Sequence, residues 1–177
     1  AWERTQRERL QQSYARYRDI VRESCLQVAA VQGLPLGVSE AKAFADSIAT
    51  WKAFPDVPEA LEKLKRQARL GIISNIDDDI LAASVRQLGV EFDLLLTAEQ
   101  ARAYKPSPVP FQRALERLKL PAERVAHAAF GFEYDITTAA QLGFRTVLVR
   151  RGRKNFPQQP VPDLVVADVA ELAAQFE

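Results

Sequence analysis

The chain has 177 residues, with 24 Lys or Arg, 23 Asp or Glu, one Cys, one His and no Met. With 47% hydrophobic and 27% charged residues it can bury a core, which excludes disorder and favours one compact domain, with at most a small appendage. A net charge of +1 argues against nucleic-acid binding, one Cys excludes an internal disulfide, and the absence of a leader or a membrane-length apolar run predicts a cytoplasmic protein without a membrane partner.

The first part of the sequence, residues 1–53, predicts two helices and no strand. Apolar or aromatic residues recur at spacings of three and four from Tyr14 to Val31, and Gly33 then supplies a helix stop. Ser39 is the predicted N-cap of the second helix. We interpret this region as a helical cap. We expect its aromatic stripe, Tyr14 and Tyr17, to pack against the second helix or against a second copy of the chain, as in a homodimer.

Residues 54–177 alternate between short apolar runs and amphipathic segments. Strands that are apolar throughout, separated by amphipathic helices, predict an α/β fold with a Rossmann-like parallel sheet and helices on both faces. Asp56, two residues before Pro58, is predicted to cap the helix that follows it. The predicted strands are residues 70–74, 93–97, 125–130, 145–149 and 163–166.

Ligands of such sheets bind beyond the carboxyl ends of the strands, which directs attention to the loops there. Ser74 and Asn75 close the first strand, Lys105 is held extended by the proline after it, and Asp135 opens a later helix. Taken singly, these residues are ordinary N-caps, a solvated lysine and an acid at a helix start. Taken together, they lie on successive strand–helix units and predict one pocket.

Other chemically active side chains carry weaker signals. His127 lies inside an apolar strand and is interpreted as a core imidazole with its hydrogen bonds satisfied, and Cys25 as a small buried hydrophobe. Arg16, Arg18 and Arg22 could offer a guanidinium to a substrate carboxylate, but a solvated helix face is the favoured interpretation. The sequence has no phosphate-binding glycine loop, nucleophile elbow or zinc signature.

Four spaced segments resemble the haloacid dehalogenase (HAD) superfamily of hydrolases, and more narrowly its 2-haloacid-dehalogenase-like branch with a helical cap. The resemblance extends from about Tyr14 to about Arg151 and implies a HAD-like core in residues 54–177 with a partial cap in residues 1–53. The matching segments are 54–58, 71–75, 98–100 with 104–108, and 127–135 with 140–147.

The resemblance implies an aspartate nucleophile that attacks carbon or phosphorus of a small anionic substrate and forms an ester, which water hydrolyses. It further implies that Ser74, Lys105 and Asp135 are catalytic: Ser74 binds the substrate anion or the oxygen of the nucleophile, Lys105 balances the charge of the nucleophile, and Asp135 holds Lys105 or orients the water. Asn75 is expected to bind the substrate by helping to shape its pocket. Gly131 is expected in the substrate-binding loop. No cofactor is expected for a dehalogenase, whereas phosphatase members use Mg²⁺, for which Asp135 would be a ligand.

The first motif of the superfamily, an apolar strand ending in the nucleophile, does not occur in the sequence and would precede Trp2. By the resemblance this strand is central and separates the strand carrying Ser74 from the one leading to Asp135. We therefore expect that the sequence is incomplete or that another segment fills the gap. Direct pairing of those two strands would contradict this expectation.

The fourth motif also departs from the pattern of the family. Relatives usually carry a polar residue at or near Gly131, and phosphatases carry an extra acid near Phe130. Three hypotheses follow. The first is a 2-haloacid-dehalogenase-like hydrolase, the second a Mg²⁺-dependent phosphatase of small molecules, and the third a degenerate relative that only binds or assembles.

Overall fold

The computed structural model describes residues 2–176 and has an α/β architecture. The first part contains α1 (Trp2–Leu10), α2 (Tyr17–Gln32), α3 (Val38–Ser47) and a 3-10 turn at Ile48–Thr50. The next elements are α4 (Val57–Lys65), β1 (Gly71–Ser74), α5 (Asp78–Leu88), β2 (Leu94–Thr97), α6 (Ala98–Ala101) and α7 (Val109–Leu118). The last are a 3-10 turn at Ala122–Arg124, β3 (Ala126–Ala129), a π-helical turn at Phe132–Ile136, α8 (Thr137–Gln141), β4 (Arg145–Val149), β5 (Leu164–Val166) and α9 (Val169–Ala174).

The strands form two parallel sheets. In the first, β1 pairs with β2, and Ser74 lies opposite Thr97. The second has the order β3-β4-β5, with Ala129 opposite Leu148 and Val149 opposite Val166. Within residues 2–176 no ladder joins β1 to β3. The strand that carries Ser74 and the strand that leads to Asp135 therefore do not pair directly, as expected.

Helices cover both faces of the larger sheet, which confirms the predicted layering. Because side chains alternate along a strand, Val147 and Val149 of β4 point to one face and pack with α4 and α9. Leu148 points to the other face and packs with Phe132 and Ile136. The apolar strand β4 is therefore buried between two layers of helices.

The first part of the chain differs from the prediction of two helices. The structure has the additional helix α1, and α3 begins at Val38 rather than after Ser39. The backbone N–H of Gly37 donates to Glu40 Oε2 at 2.5 Å, so this glutamate caps α3 through the residue before the helix. The cap signal of Ser39 was therefore misleading.

The aromatic stripe of the first part packs on the α/β core rather than on α3. The Tyr14 ring stacks on the Tyr104 ring with centroids 5.5 Å apart, and the Tyr104 hydroxyl donates to the carbonyl of Ala15 at 2.7 Å. Burial raises the pKa of Tyr104 above its usual value, so the phenol stays a hydrogen-bond donor. Ile20 and Ala98 complete this contact.

Asp56 does not cap the helix that follows it, contrary to the prediction from its spacing to Pro58. Its carboxylate instead accepts from the guanidinium of Arg151 at 2.6 Å and from the backbone N–H of Val169, the first residue of α9, at 3.2 Å. The hydrogen bond from Arg151 outweighs the effect of burial and lowers the pKa of Asp56. Asp56 thus connects the start of α4 to the last helix.

We expect Asp56→Asn to lower the free energy of unfolding by about 1–2 kcal/mol at pH 7, because the amide cannot replace the charge-assisted bond to Arg151. Since the pKa of Asp56 is lower in the folded chain than in the unfolded chain, its contribution is complete above about pH 4 and disappears as the pH falls further. Urea denaturation at pH 7 and pH 3 measures both effects. Glu59→Gln, at a side chain that is 80% exposed, is the control and is expected to cost under about 0.5 kcal/mol.

None of the helices in residues 2–176 combines the length and apolar character needed to cross a membrane.

Candidate active site

The loops after β1 and α6 are locked together by Asn75. Its amide nitrogen donates to the carbonyl of Lys105 at 2.9 Å, and its amide oxygen accepts from the backbone N–H of Lys105 at 2.7 Å. Because both amide atoms of one side chain bind the backbone of one residue, the position of Lys105 is fixed relative to the end of β1. The contact explains the amide at position 75 without requiring it to touch a substrate.

The ammonium of Lys105 connects β1 to the loop after β3. It lies 2.5 Å from Asp135 Oδ1 and donates to the carbonyl of Ile73 at 2.9 Å. The two charged side chains are only 10% and 11% exposed, so the pair is shielded from solvent. The structure therefore brings Lys105 and Asp135 together at the carboxyl ends of the strands, where the sequence placed them.

The carboxylate of Asp135 also contacts the single histidine of the chain. His127 Nε2 lies 2.9 Å from Asp135 Oδ1, and the His127 ring packs edge-on against Phe111 at 5.1 Å between centroids. Burial by itself would raise the pKa of Asp135, but the hydrogen bond with His127 and the charge of Lys105 outweigh it and hold the pKa below the usual value. Asp135 is thus an anion, and His127 is a core imidazole whose Nε2 has a partner.

Gly131 leaves the space that the Asp135 carboxylate occupies. A Cβ at position 131 would lie 2.5 Å from Asp135 Oδ2, closer than real Cβ atoms approach a neighbour. The carbonyl of Gly131 also accepts from the backbone N–H of Ile136 at 3.2 Å, and this bond across five residues begins the π-helical turn. The structure therefore shows a steric reason for glycine here, and its predicted contact with a substrate remains a prediction.

We expect Gly131→Ala to displace the Asp135 carboxylate from Lys105 and to destabilise the chain by about 1–3 kcal/mol. Gly37→Ala is a matched control, because a Cβ there would also lie 2.5 Å from a carboxylate oxygen, that of Glu40. Glu40 is exposed and can rotate away, so we expect little loss. Urea denaturation gives the free energies, and equal losses in the two variants would contradict the assignment.

Ser74 lies between two residues that contact Lys105. It is the last residue of β1 and half-buried, next to Ile73 on one side and Asn75 on the other. The structure places Ser74 beside the Lys105–Asp135 pair, and its role toward a substrate stays a prediction.

Helix α1 lies against the loop that carries Asp135. Arg7 forms an ion pair with Glu133, and its guanidinium lies 5.3 Å from the centroid of the Tyr134 ring. Interactions with the phenol oxygen of Tyr134 and the carboxylate of Glu133 raise the pKa of Arg7, against the effect of burial. Glu133 thus pairs with the helical part of the chain.

The described residues fit a magnesium ion poorly. Within residues 2–176 no three His, Cys, Asp or Glu side chains form a group suited to a metal. Asp135, the predicted ligand in the phosphatase hypothesis, already has its Oδ1 engaged by Lys105 and His127. Its neighbours Phe130 and Phe132 offer no oxygen ligand from their side chains.

A surface pocket of about 330 Å³ lies beside the Lys105 loop but not at the Lys105–Asp135 pair. Its wall includes Tyr14, Arg102, Tyr104 and Ser107, and neither Lys105 nor Asp135 lines it. The predicted convergence of polar groups and this pocket are therefore two different places on the molecule.

Two contacts near the site were not predicted. One is the hydrogen bond between His127 and Asp135, for which the spacing of eight residues across a strand end is a weak signal. The other is a group formed by Arg153 with Phe130 and Phe156, in which the guanidinium lies 5.2 Å and 5.6 Å from the two ring centroids. The one sequence signal for the second contact is that Arg153 lies in the loop after the predicted strand 145–149.

The sequence is similar to the haloacid dehalogenase-like hydrolases, whose family model matches residues 4–143. Haloacid dehalogenase-like hydrolase domain-containing protein 3 of Danio rerio is 32% identical over 132 residues, covering 72% of this chain and 54% of that protein. (S)-2-haloacid dehalogenase 4A of Burkholderia cepacia is 34% identical over 102 residues, covering 56% of this chain and 44% of that protein. The chain thus spans about half the length of these curated relatives.

A relative named for a different activity also matches. Ribulose-1,5-bisphosphate 5-phosphatase of Halopiger xanaduensis is 34% identical over 110 residues, covering 56% of this chain and 46% of that protein. Among solved structures, a dehalogenase crystallised as an intermediate complex superposes with a TM-score of 0.87 at 26% identity. That superposition covers 98% of this chain and 80% of the dehalogenase chain.

Proposed function

The chain belongs to the haloacid dehalogenase-like hydrolase family, and on that premise we propose that it serves a 2-haloacid-dehalogenase-like hydrolysis of a small anionic acid. The observation that carries the proposal is the shielded pair of Lys105 and Asp135 at the carboxyl ends of the strands. In this proposal the nucleophile is an aspartate supplied by the first motif of the family, which does not occur in the sequence.

The proposed role of Lys105 follows from the number of N–H groups that its ammonium has free to donate. A lysine ammonium has three N–H groups, and the contacts with Ile73 and Asp135 use two of them. The third can donate to a carboxylate in the neighbouring space, which favours an ionised nucleophile there. Asp135 holds the ammonium in place, and Asn75 fixes the backbone that carries it.

The roles of Ser74 and Asn75 remain part of the proposal. Ser74 would donate its hydroxyl to the substrate anion, and the amide of Asn75 would shape the same wall while holding Lys105. Gly131 would keep the loop close enough for Asp135 to reach Lys105. Water activation would fall to Asp135 or to backbone groups, since Phe130 and Phe132 carry no hydroxyl or acid.

A phosphatase is the second candidate, favoured by the phosphatase relative at 34% identity. It would require Mg²⁺, and the described donor set of this chain does not favour that ion. A degenerate relative that only binds is a third candidate, favoured by the apolar Phe130 and Phe132 in the loop of Asp135.

Halide or phosphate release from the protein expressed from its complete coding sequence tests the proposal. We expect halide release from 2-chloropropionate that persists with a magnesium chelator. Phosphate release that a chelator abolishes would transfer the assignment to a phosphatase. Release of neither ion would favour the binding protein, and Lys105→Met is expected to abolish either activity.

A further inference from the structure

The loop after β4 carries a cation that has no carboxylate partner among residues 2–176. Residues 150–154 read Arg-Arg-Gly-Arg-Lys, and of these Arg151 is committed to Asp56. Arg153 is exposed, and among residues 2–176 no Asp or Glu lies within ion-pair distance of its guanidinium. Its contacts are with the faces of Phe130 and Phe156 instead. The charge of Arg153 is therefore available to an anion.

The aromatic rings beside Arg153 form an apolar surface that is partly open. Phe130 is 45% exposed and meets Phe156 edge to face, with centroids 6.2 Å apart. Phe156 in turn packs on the buried Phe132 at 6.3 Å. Phe132 belongs to the core, so Phe156 packs against buried residues. Phe130 remains partly exposed to solvent.

This Arg153 group, with Phe130 and Phe156, adjoins the proposed active site. Strands β3 and β4 are parallel neighbours, so the loops that follow them start at the same edge of the sheet. Phe130 is the first residue after β3 and directly precedes Gly131, against which the Asp135 carboxylate packs. The aromatic surface and the Lys105–Asp135 pair are therefore parts of one strand-end region.

The charge balance of that region requires a second cation for a substrate anion. The ammonium of Lys105 is already paired with Asp135, so it carries no excess charge toward a ligand in the described chain. Arg153 supplies a positive charge that is not balanced in this way. Its guanidinium can bind carboxylate or phosphoryl oxygens through two parallel hydrogen bonds. A ligand held there would lay its apolar body on the Phe130 ring.

We propose that Arg153 and Phe130 select a small organic anion with an aromatic body, with the anionic group on the guanidinium and the ring packed on Phe130. The proposal rests on the proposed function, because it names the substrate class of the same site. A short aliphatic acid such as 2-chloropropionate would bind there through the guanidinium alone, and more weakly.

Calorimetric titration of the protein expressed from its complete coding sequence tests the selection with three probes: phenylacetate, acetate and the neutral phenylacetamide. We expect phenylacetate to bind at least about tenfold more tightly than either of the others, because only phenylacetate uses both the guanidinium and the ring. Phenylphosphonate is the fourth probe and shows whether the anionic group is preferred as carboxylate or as phosphoryl.

Variants assign any such preference to the proposed residues. Arg153→Gln and Phe130→Ser are expected to weaken phenylacetate binding by about tenfold each, whereas acetate binding changes little in Phe130→Ser. Lys154→Gln removes a neighbouring exposed cation that makes no ring contact and serves as the matched control. Thermal melts of each variant show whether the fold is retained.

Equal binding of phenylacetate and acetate would overturn the inference, and so would an equal effect of Lys154→Gln and Arg153→Gln. Neither result would bear on halide release from 2-chloropropionate. Conversely, selective phenylacetate binding through Arg153 without halide or phosphate release would leave the inference standing and overturn the proposed hydrolysis. The two failures are therefore distinguishable.

Discussion

Asp77→Ala is expected to lower the free energy of unfolding by about 2–4 kcal/mol, because two charge-assisted hydrogen bonds of a buried carboxylate are lost together. Asp77 is fully buried and accepts from the backbone N–H of Tyr17 at 2.8 Å and of Arg18 at 3.1 Å. These are the first two residues of α2, whose N–H groups have no partner within the helix.

The bond from Asp77 to α2 joins the helical part of the chain to the α/β core. Asp77 directly precedes α5, yet its side chain makes no capping bond to α5 and caps the other helix instead. The guanidinium of Arg16 lies 3.8 Å from the same carboxylate and adds attraction from the half-exposed surface. Removal of Asp77 therefore loosens the attachment of α2 more than it weakens α5.

Chemical denaturation measures the total loss, and amide hydrogen exchange at Tyr17 and Arg18 localises it. Asp77→Asn is expected to cost about half as much as alanine, since a neutral amide oxygen can still accept from the helix but without its charge. Asp79→Ala is the control. Asp79 is 52% exposed and pairs with Arg18 at 2.9 Å, so its loss is expected to stay within about 1 kcal/mol. An equal cost at both positions would contradict the assignment to Asp77.

Local pattern was sufficient to predict most of the α/β region. The apolar run 145–149 is β4 over its whole length, and the predicted strand 93–97 is β2 with one residue fewer. Both strands are buried on both faces, and such strands consist of apolar residues throughout. The apolar run in the sequence therefore predicts the strand directly. The end of α2 at Gly33 was equally clear, because a left-handed residue there has a φ of +66°.

The partners of the capping aspartates could not be predicted, because they depend on contacts that are distant in sequence. Asp56 and Asp77 each stand before a helix, as N-caps do, but they bind the first turns of α9 and α2. A preference for the cap position identifies the residue type and not the helix that it serves. The same reason left the contact of Asp135 with His127 unpredicted, although Lys105 and Asp135 themselves were placed together.

Lys105→Met is expected to have the largest effect, a loss of about 3–5 kcal/mol, because it leaves the buried Asp135 carboxylate without its cation. His127 would remain as a partner of the carboxylate, but its single ring nitrogen does not replace the ammonium that lies 2.5 Å away. Asp135→Asn is expected to cost less, since the ammonium keeps its bond to the carbonyl of Ile73.

The double variant separates the pair from the rest of each side chain. If Lys105 and Asp135 stabilise each other, Lys105→Met combined with Asp135→Asn costs less than the sum of the single changes, by about 1.5–3 kcal/mol. The exposed pair Lys42 and Asp46 is a matched control, because its nitrogen and oxygen are also 2.5 Å apart. Those side chains are 67% and 40% exposed, so their coupling is expected to stay below about 0.5 kcal/mol.

Chemical denaturation of the two sets of variants gives both coupling energies under the same conditions. A coupling for Lys105 and Asp135 no larger than that of the exposed pair would mean that the ammonium is not held by the carboxylate in solution. The proposed role of Lys105 would then lose its physical basis, because a mobile ammonium cannot keep its third N–H directed at a neighbouring nucleophile. A coupling several times larger would support a preorganised cation at the carboxyl ends of the strands.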